Sequence, residues 1–116
     1  MASIQPPVRE IKFNNIARYV ELRYKQDWYE WIVYVDEPED ILQEIEAVEY
    51  LLHRSFPNPL RKSTNSEKNF ALSSSGWGEF YIFITVFFKN GSRFETTYYL
   101  DLSKSWDESH LIHSDT

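Results

Sequence analysis

The chain of 116 residues contains no cysteine, which removes a disulfide framework, a thiolate metal site and a thiol nucleophile in one step. Glycine is scarce, and two of the three glycines flank a single tryptophan, Trp77. No apolar run approaches the ~20 residues of a membrane-spanning helix. Positive charge is in deficit, with 12 Lys and Arg against 18 Asp and Glu, a formal balance of −6. That balance argues against a nucleic-acid footprint and favours basic partners through encounter rate. Residues 1–7 lack the basic region and apolar segment of a secretory signal. No phosphate loop or internal repeat is present, and the length suits one domain with a real core. These absences predict a cytoplasmic, monomeric protein that binds neither membrane nor nucleic acid and uses no cofactor or metal.

Aromatic residues, in contrast, reach 17%. They concentrate from Phe80 onward. Phe80, Ile82, Ile84, Val86 and Phe88 share one side of a period-2 pleat, and Tyr81, Phe83, Thr85 and Phe87 share the other. Asn90-Gly91 supplies the positive φ angles of a tight turn. Phe94, Thr96, Tyr98 and Leu100 then alternate on the returning strand. This pattern predicts the central hairpin of an all-β domain.

Upstream, residues 11–13 open a first strand and Asn14-Asn15 signals a turn. Residues 16–24 and 31–35 read as strands joined by a polar connection at Lys25-Gln26-Asp27. Glu37-Pro38-Glu39-Asp40 starts one short helical turn, with its acids at the positive end of the helix dipole. A strand follows that ends at His53. Residues 54–69 form a long polar loop interrupted by Pro57 and Pro59, and Phe70 and Leu72 mark a short strand. Residues 103–116 are a polar tail in which Trp106 or Leu111 docks. The expected fold is an immunoglobulin-like antiparallel β-sandwich of about seven to eight strands with one short helical turn. A small closed barrel competes with it. The domain division is a leader and first edge strand at 1–15, the sandwich at 16–102, and the tail at 103–116.

Two irregular stretches each carry a ring beside hydrogen-bonding groups: His53-Arg54-Ser55-Phe56-Pro57 and Ser75-Gly76-Trp77-Gly78. If both loops share one end of the sandwich, Phe56 and Trp77 face each other across a gap. Gly76 and Gly78 let a backbone approach a ligand closely and take angles denied to other residues.

The pattern His53-x-Ser55-Phe56-x-Asn58-Pro59-x-Arg61, then Gly76-Trp77-Gly78-Glu79-Phe80 and a Phe/Ile-rich strand, resembles a YEATS domain. The resemblance runs from about residue 16 to 102. Where eukaryotic members carry a Pro-Pro-aromatic element, this chain has Ser66-Glu67-Lys68-Asn69-Phe70. That departure, the compact Lys89-Asn90-Gly91-Ser92 hairpin and the ending Tyr98-Tyr99-Leu100-Asp101-Leu102 resemble the prokaryotic branch.

The resemblance implies an immunoglobulin-like sandwich and a non-enzymatic module that reads acylated lysine, of acetyl or crotonyl type, on a protein. A histone tail, and a nuclear location, follow only if the source is eukaryotic. Phe56 and Trp77 would sandwich the flat acyl-amide, a contact of ~0.5–1.5 kcal/mol beyond burial. Ser55 Oγ would accept the amide N–H, and the Trp77 backbone N–H would donate to the acyl carbonyl. His53 would orient Ser55, Gly78 and Phe80 would shape the floor, and Trp28 or Tyr29 would add a third wall. A planar crotonyl group should fit better than a branched one. An unmodified ammonium would lose hydration without gaining acceptors, and a methyl-lysine cage would need more aromatic faces. The acids Glu37, Glu39, Asp40 and Asp101 would draw a basic peptide.

Plainer readings stand beside this one. Trp77 caps the core at a loop, Phe56 plugs it, and His53 and Ser55 satisfy loop backbone. The domain is then an immunoglobulin-like interaction scaffold with no acyl-lysine ligand. Catalysis by His53 and Ser55 lacks a third group to orient the base and an oxyanion-hole motif. His110 and His113 have a helical ligand spacing but sit in a polar tail and are not read as a metal pair.

Overall fold

The computed structural model describes residues 9–106. Seven strands and one short helix run in the order β1 (Phe13–Arg23), β2 (Gln26–Val35), α1 (Glu39–Leu42), β3 (Ile45–Leu51), β4 (Leu60–Ser63), β5 (Leu72–Gly76), β6 (Tyr81–Phe88) and β7 (Arg93–Tyr99), with a 3-10 turn at Ser66–Lys68. They make two antiparallel sheets, one in the order β1-β2-β5 and the other β4-β3-β6-β7. This is the immunoglobulin-like sandwich; two separate sheets take the place of the competing closed barrel.

The period-2 pattern decides which residues meet between the sheets. Trp31, Val33 and Val35 of β2 face Val48 and Tyr50 of β3 and Ile82, Ile84 and Val86 of β6, all 0–1% exposed. Burying each such side chain favours folding by roughly 1.5–3 kcal/mol. The Tyr50 hydroxyl donates to the Phe70 carbonyl at 2.6 Å, and burial raises its pKa far above the ordinary phenol value. Pro38 stands at the N-cap of α1, and Glu39 and Asp40 occupy its first turn, which suits the helix dipole. Ile41 and Leu42 are its buried pair.

Several expectations need correction. Asn14-Asn15 is not a turn, because both residues lie inside β1, paired with Tyr34 and Val33. Asn15 is 1% exposed. Its amide donates to the Asp101 carbonyl at 2.9 Å, while its Oδ1 accepts from the Tyr98 hydroxyl at 2.6 Å and from Asp101 N–H. A buried asparagine is thus satisfied from the far end of the chain. The β1–β2 turn falls at Tyr24-Lys25, both with positive φ, so Gln26 and Asp27 belong to β2 and not to a connection.

β3 ends at Leu51, two residues before His53. The stretch read as loop from 54 to 69 contains β4 and the 3-10 turn. Phe70 lies just outside β5, fully buried, with a positive φ. In the central hairpin, Gly91 alone takes a positive φ, and the turn closes through Phe88 N to the Ser92 carbonyl at 2.9 Å. Trp106 docks on Ile16 and Tyr34, with the Arg18 guanidinium 4.3 Å from its ring centre. Leu111, His110 and His113 lie outside the described residues. Among those described, no group of His, Asp and Glu could hold a metal ion.

Candidate functional site

β3 and β6 are antiparallel neighbours, so the chain leaving β3 and the chain entering β6 meet at one end of the four-stranded sheet. β5 ends at Gly76, and Trp77 sits one residue beyond the last ladder pair, Tyr29–Gly76. The topology therefore brings the two irregular stretches together. Trp28, His53, Ser55, Phe56, Gly76, Trp77, Gly78 and Phe80 all line one open cavity of about 520 Å³. Tyr29, the alternative to Trp28, is not on this wall.

The His53 loop is wound on itself. Phe56 N–H donates to the His53 carbonyl at 3.0 Å. His53 Nδ1 accepts the Ser55 backbone N–H at 3.1 Å and lies 2.9 Å from Ser55 Oγ. An imidazole nitrogen that accepts a backbone N–H carries no proton, so the Ser55 hydroxyl donates to it. The lone pairs of Oγ are then left for an incoming N–H. One histidine thereby orders a serine as an acceptor.

Phe56 stands on an aromatic base. Its ring lies 5.3 Å from Phe80 and 6.3 Å from the fully buried Trp31, and Phe80 lies 6.1 Å from Trp31. His53 meets Phe80 edge-on at 6.3 Å. Such tilted and edge contacts are favoured between rings. Trp77, by contrast, is 57% exposed. One wall is rooted in the core and the other stands in solvent.

The glycines act through space and not through backbone angle. Neither Gly76 nor Gly78 has a positive φ, which corrects the expectation of special angles. A Cβ at Gly76 would lie 3.7 Å from Phe56 Cζ, filling room beside the ring; one at Gly78 would meet nothing within 4 Å. Glycine at both positions keeps the cavity wide.

Trp28 rather than Tyr29 supplies the additional wall, since neighbours on a strand face opposite ways. The Arg23 guanidinium lies 4.6 Å from the centre of the Trp28 ring. Tyr29 lines an adjacent cavity of about 560 Å³ together with Asp27, Trp77, Glu79 and Tyr99. Trp77 and Glu79 border both spaces.

A model of the prokaryotic YEATS domain matches residues 29–101. The chain belongs to that family. The AF-9 homolog protein of Kluyveromyces lactis is 39% identical over 64 residues, which is 53% of this chain and 28% of that protein. The chain thus spans little more than a quarter of that relative's length. Among solved structures, the Yaf9 YEATS domain recognizing an H3K122suc peptide matches with a TM-score of 0.64 and 25% identity, over 84% of this chain and 80% of that one. The Yaf9 YEATS domain bound to H3K27ac matches with a TM-score of 0.63 and 25% identity, over 84% and 79%.

Within this YEATS domain the cavity also draws on residues to which the sequence assigned no role. Arg61 lines it and hydrogen-bonds two loop carbonyls, Asn58 O from Nε at 2.6 Å and Pro57 O from Nη2 at 2.8 Å. The Glu79 carboxylate accepts the Leu102 N–H at 2.8 Å and ties the chain after β7 to the mouth. Both sit inside the two motifs, so their positions were visible. Their partners are backbone atoms, which no side-chain pattern announces.

Proposed function

We propose that this YEATS domain binds acylated lysine on a protein, without catalysis, by inserting the flat acyl-amide beside Phe56 and Trp77. The observation that carries the reading is the His53–Ser55 pair, which holds a hydroxyl oxygen as an acceptor on the wall shared with both rings. The amide N–H of the modified lysine donates to Ser55 Oγ, and the Trp77 backbone N–H donates to the acyl carbonyl. The similar Yaf9 YEATS domains, one recognizing an H3K122suc peptide and one bound to H3K27ac, support an acylated partner of this kind.

Acetyl and crotonyl groups are the favoured ligands, because both are planar where they meet the rings. Unmodified lysine binds poorly, since its ammonium gives up hydration on entering the slot and brings no carbonyl to meet the Trp77 N–H. A few such contacts, less the cost of ordering a peptide, correspond to a Kd of about 10 μM to 1 mM. The partner is a protein with a basic stretch beside the modified lysine, attracted by Asp27 and Glu79 in the neighbouring cavity. It is a histone tail only where the source has histones.

Titration with acetyl-, crotonyl- and unmodified-lysine peptides, followed by tryptophan fluorescence, tests the proposal. Saturable changes with the acylated peptides alone support it. No saturable change at millimolar peptide, or equal binding by Trp77→Ala, removes it.

A specific observation favours a second reading, a protein-contact scaffold. Leu51, Leu60, Tyr81, Phe83 and Tyr99 are 42–60% exposed on the outer face of the four-stranded sheet, in register with one another. A partner whose co-purification is lost in Phe83→Lys but kept in Trp77→Ala would favour that reading over the first.

A further inference from the structure

We infer that Arg61 is the positioning residue that sets the width of the slot and thereby its choice among acyl groups; this rests on the acyl-lysine reading above. The hydrogen bonds within residues 53–56 shape the loop but attach it to nothing else, because His53, Ser55 and Phe56 bond one another. Its base is closed by Leu52 N–H to the Pro59 carbonyl at 2.8 Å. The Phe56 ring packs on the core, and the backbone just after it is hydrogen-bonded to the sheet through the Arg61 side chain.

The anchor is rigid at its own end. Arg61 lies on β4 opposite Tyr50, which is fully buried and hydrogen-bonded to Phe70. From there the guanidinium reaches the carbonyls of Pro57 and Asn58, the two residues that follow Phe56. Asn58 has a φ of 47°, the left-handed conformation that asparagine tolerates better than most residues. Two bonds from one planar cation fix an orientation as well as a distance, which the single point charge of a lysine does not.

The consequence falls on one wall. Phe56 packs on Phe80 and Trp31, which settle the ring's tilt, while Arg61 settles the backbone under it. The other ring on the cavity wall, Trp77, is 57% exposed and so less held by its surroundings. Discrimination between a flat and a branched acyl group requires at least one wall that does not retreat. Phe56 on its Arg61-held loop is that wall, and releasing the clamp lets the slot widen.

The experiment compares the wild-type domain with Arg61→Ala and Arg61→Lys by two measurements. The first is backbone ¹⁵N relaxation of residues 54–58 without ligand. The second is the affinity ratio between crotonyl- and a branched pivaloyl-lysine peptide. In Arg61→Ala the order parameters of the loop fall from about 0.85 toward 0.6, crotonyl affinity drops about tenfold, and the crotonyl preference compresses toward unity. Millimolar guanidinium chloride restores the preference in Arg61→Ala and leaves the wild type unchanged, while Arg61→Lys stays impaired. An ordered loop with unchanged preference in Arg61→Ala overturns the inference. If the wild type binds no acyl-lysine peptide, the reading of the slot itself fails. A loop that still loosens in Arg61→Ala then identifies a clamp with no part in ligand choice, which also overturns the inference.

Discussion

Ser55 offers both its backbone N–H and its hydroxyl to one atom, Nδ1 of His53, at 3.1 and 2.9 Å. The pair therefore works as a unit. Deleting the serine oxygen leaves the lysine amide N–H unpaired in a partly dry slot, at a cost of about 1–3 kcal/mol. Ser55→Ala should weaken crotonyl-lysine binding by roughly 5- to 150-fold, the range those energies convert to. His53→Ala should weaken it less, because histidine acts through the serine. In the double variant the losses should fall short of additive. Calorimetric titration of the four proteins measures the cycle.

Trp77 and Trp31 should separate binding from stability. Trp77 is 57% exposed, so Trp77→Ala removes ligand contact while the melting temperature stays within a few degrees of wild type. Trp31 is fully buried beneath Phe56 and Phe80, and Trp31→Ala should cost about 3–5 kcal/mol of stability. Thermal melts beside peptide titrations check both. A Trp77→Ala protein that binds normally yet melts early would identify the indole as a core cap.

How far the sequence carried this reading differs from element to element. The β6–β7 hairpin was legible because alternation, β-branched residues and an Asn-Gly turn all agree. α1 was legible from a proline followed by acids. The candidate site was legible because its residues come in two short motifs, and antiparallel pairing of β3 with β6 brings their ends together. β4 was not, since Leu60-Arg61-Lys62-Ser63 is a polar edge strand whose pairing partner, β3, decides its conformation. Asn15 misled for a related reason: asparagine favours turns locally, and here Asp101 and Tyr98, more than 80 positions away, satisfy it. The Tyr24-Lys25 turn carries neither glycine nor asparagine, so nothing local marked its positive φ angles.

The same Asn15 network predicts an alkaline limit to stability. Burial pushes Tyr98 up to about 12, helped by the nearby Asp101 charge, while its hydroxyl donates to Asn15 Oδ1 at 2.6 Å. In the unfolded chain a tyrosine titrates near about 10. The folded state therefore holds its proton more tightly, and the stabilisation is complete below about pH 10 and lost as pH rises toward 12. Tyr98→Phe should lower stability at pH 8 and flatten the fall between pH 10 and 12. At the acid end, hydrogen bonds from Ser103 lower the pKa of the exposed Asp101 carboxylate. Its contribution is present above the ordinary carboxylate range and declines as pH falls through the lowered value. Denaturant midpoints across pH test both signs.

Charge should govern how fast a partner arrives more than how long it stays. The cavity beside the slot carries Asp27 and Glu79 between Tyr29, Trp77 and Tyr99, on a chain of formal charge −6. Glu79 is already engaged by Leu102 N–H, so removing it would disturb the mouth. Asp27→Asn is the cleaner change. Against a crotonyl-lysine peptide with arginine beside the modified residue, it should reduce the association rate several-fold at low salt and change the dissociation rate little. At physiological salt, where the Debye length is about 8 Å, the difference should shrink. Against a peptide with neutral flanks it should vanish. Stopped-flow tryptophan fluorescence at two salt concentrations resolves these rates. An Asp27→Asn effect of equal size on the neutral peptide would assign the residue to the shape of the cavity and not to its field.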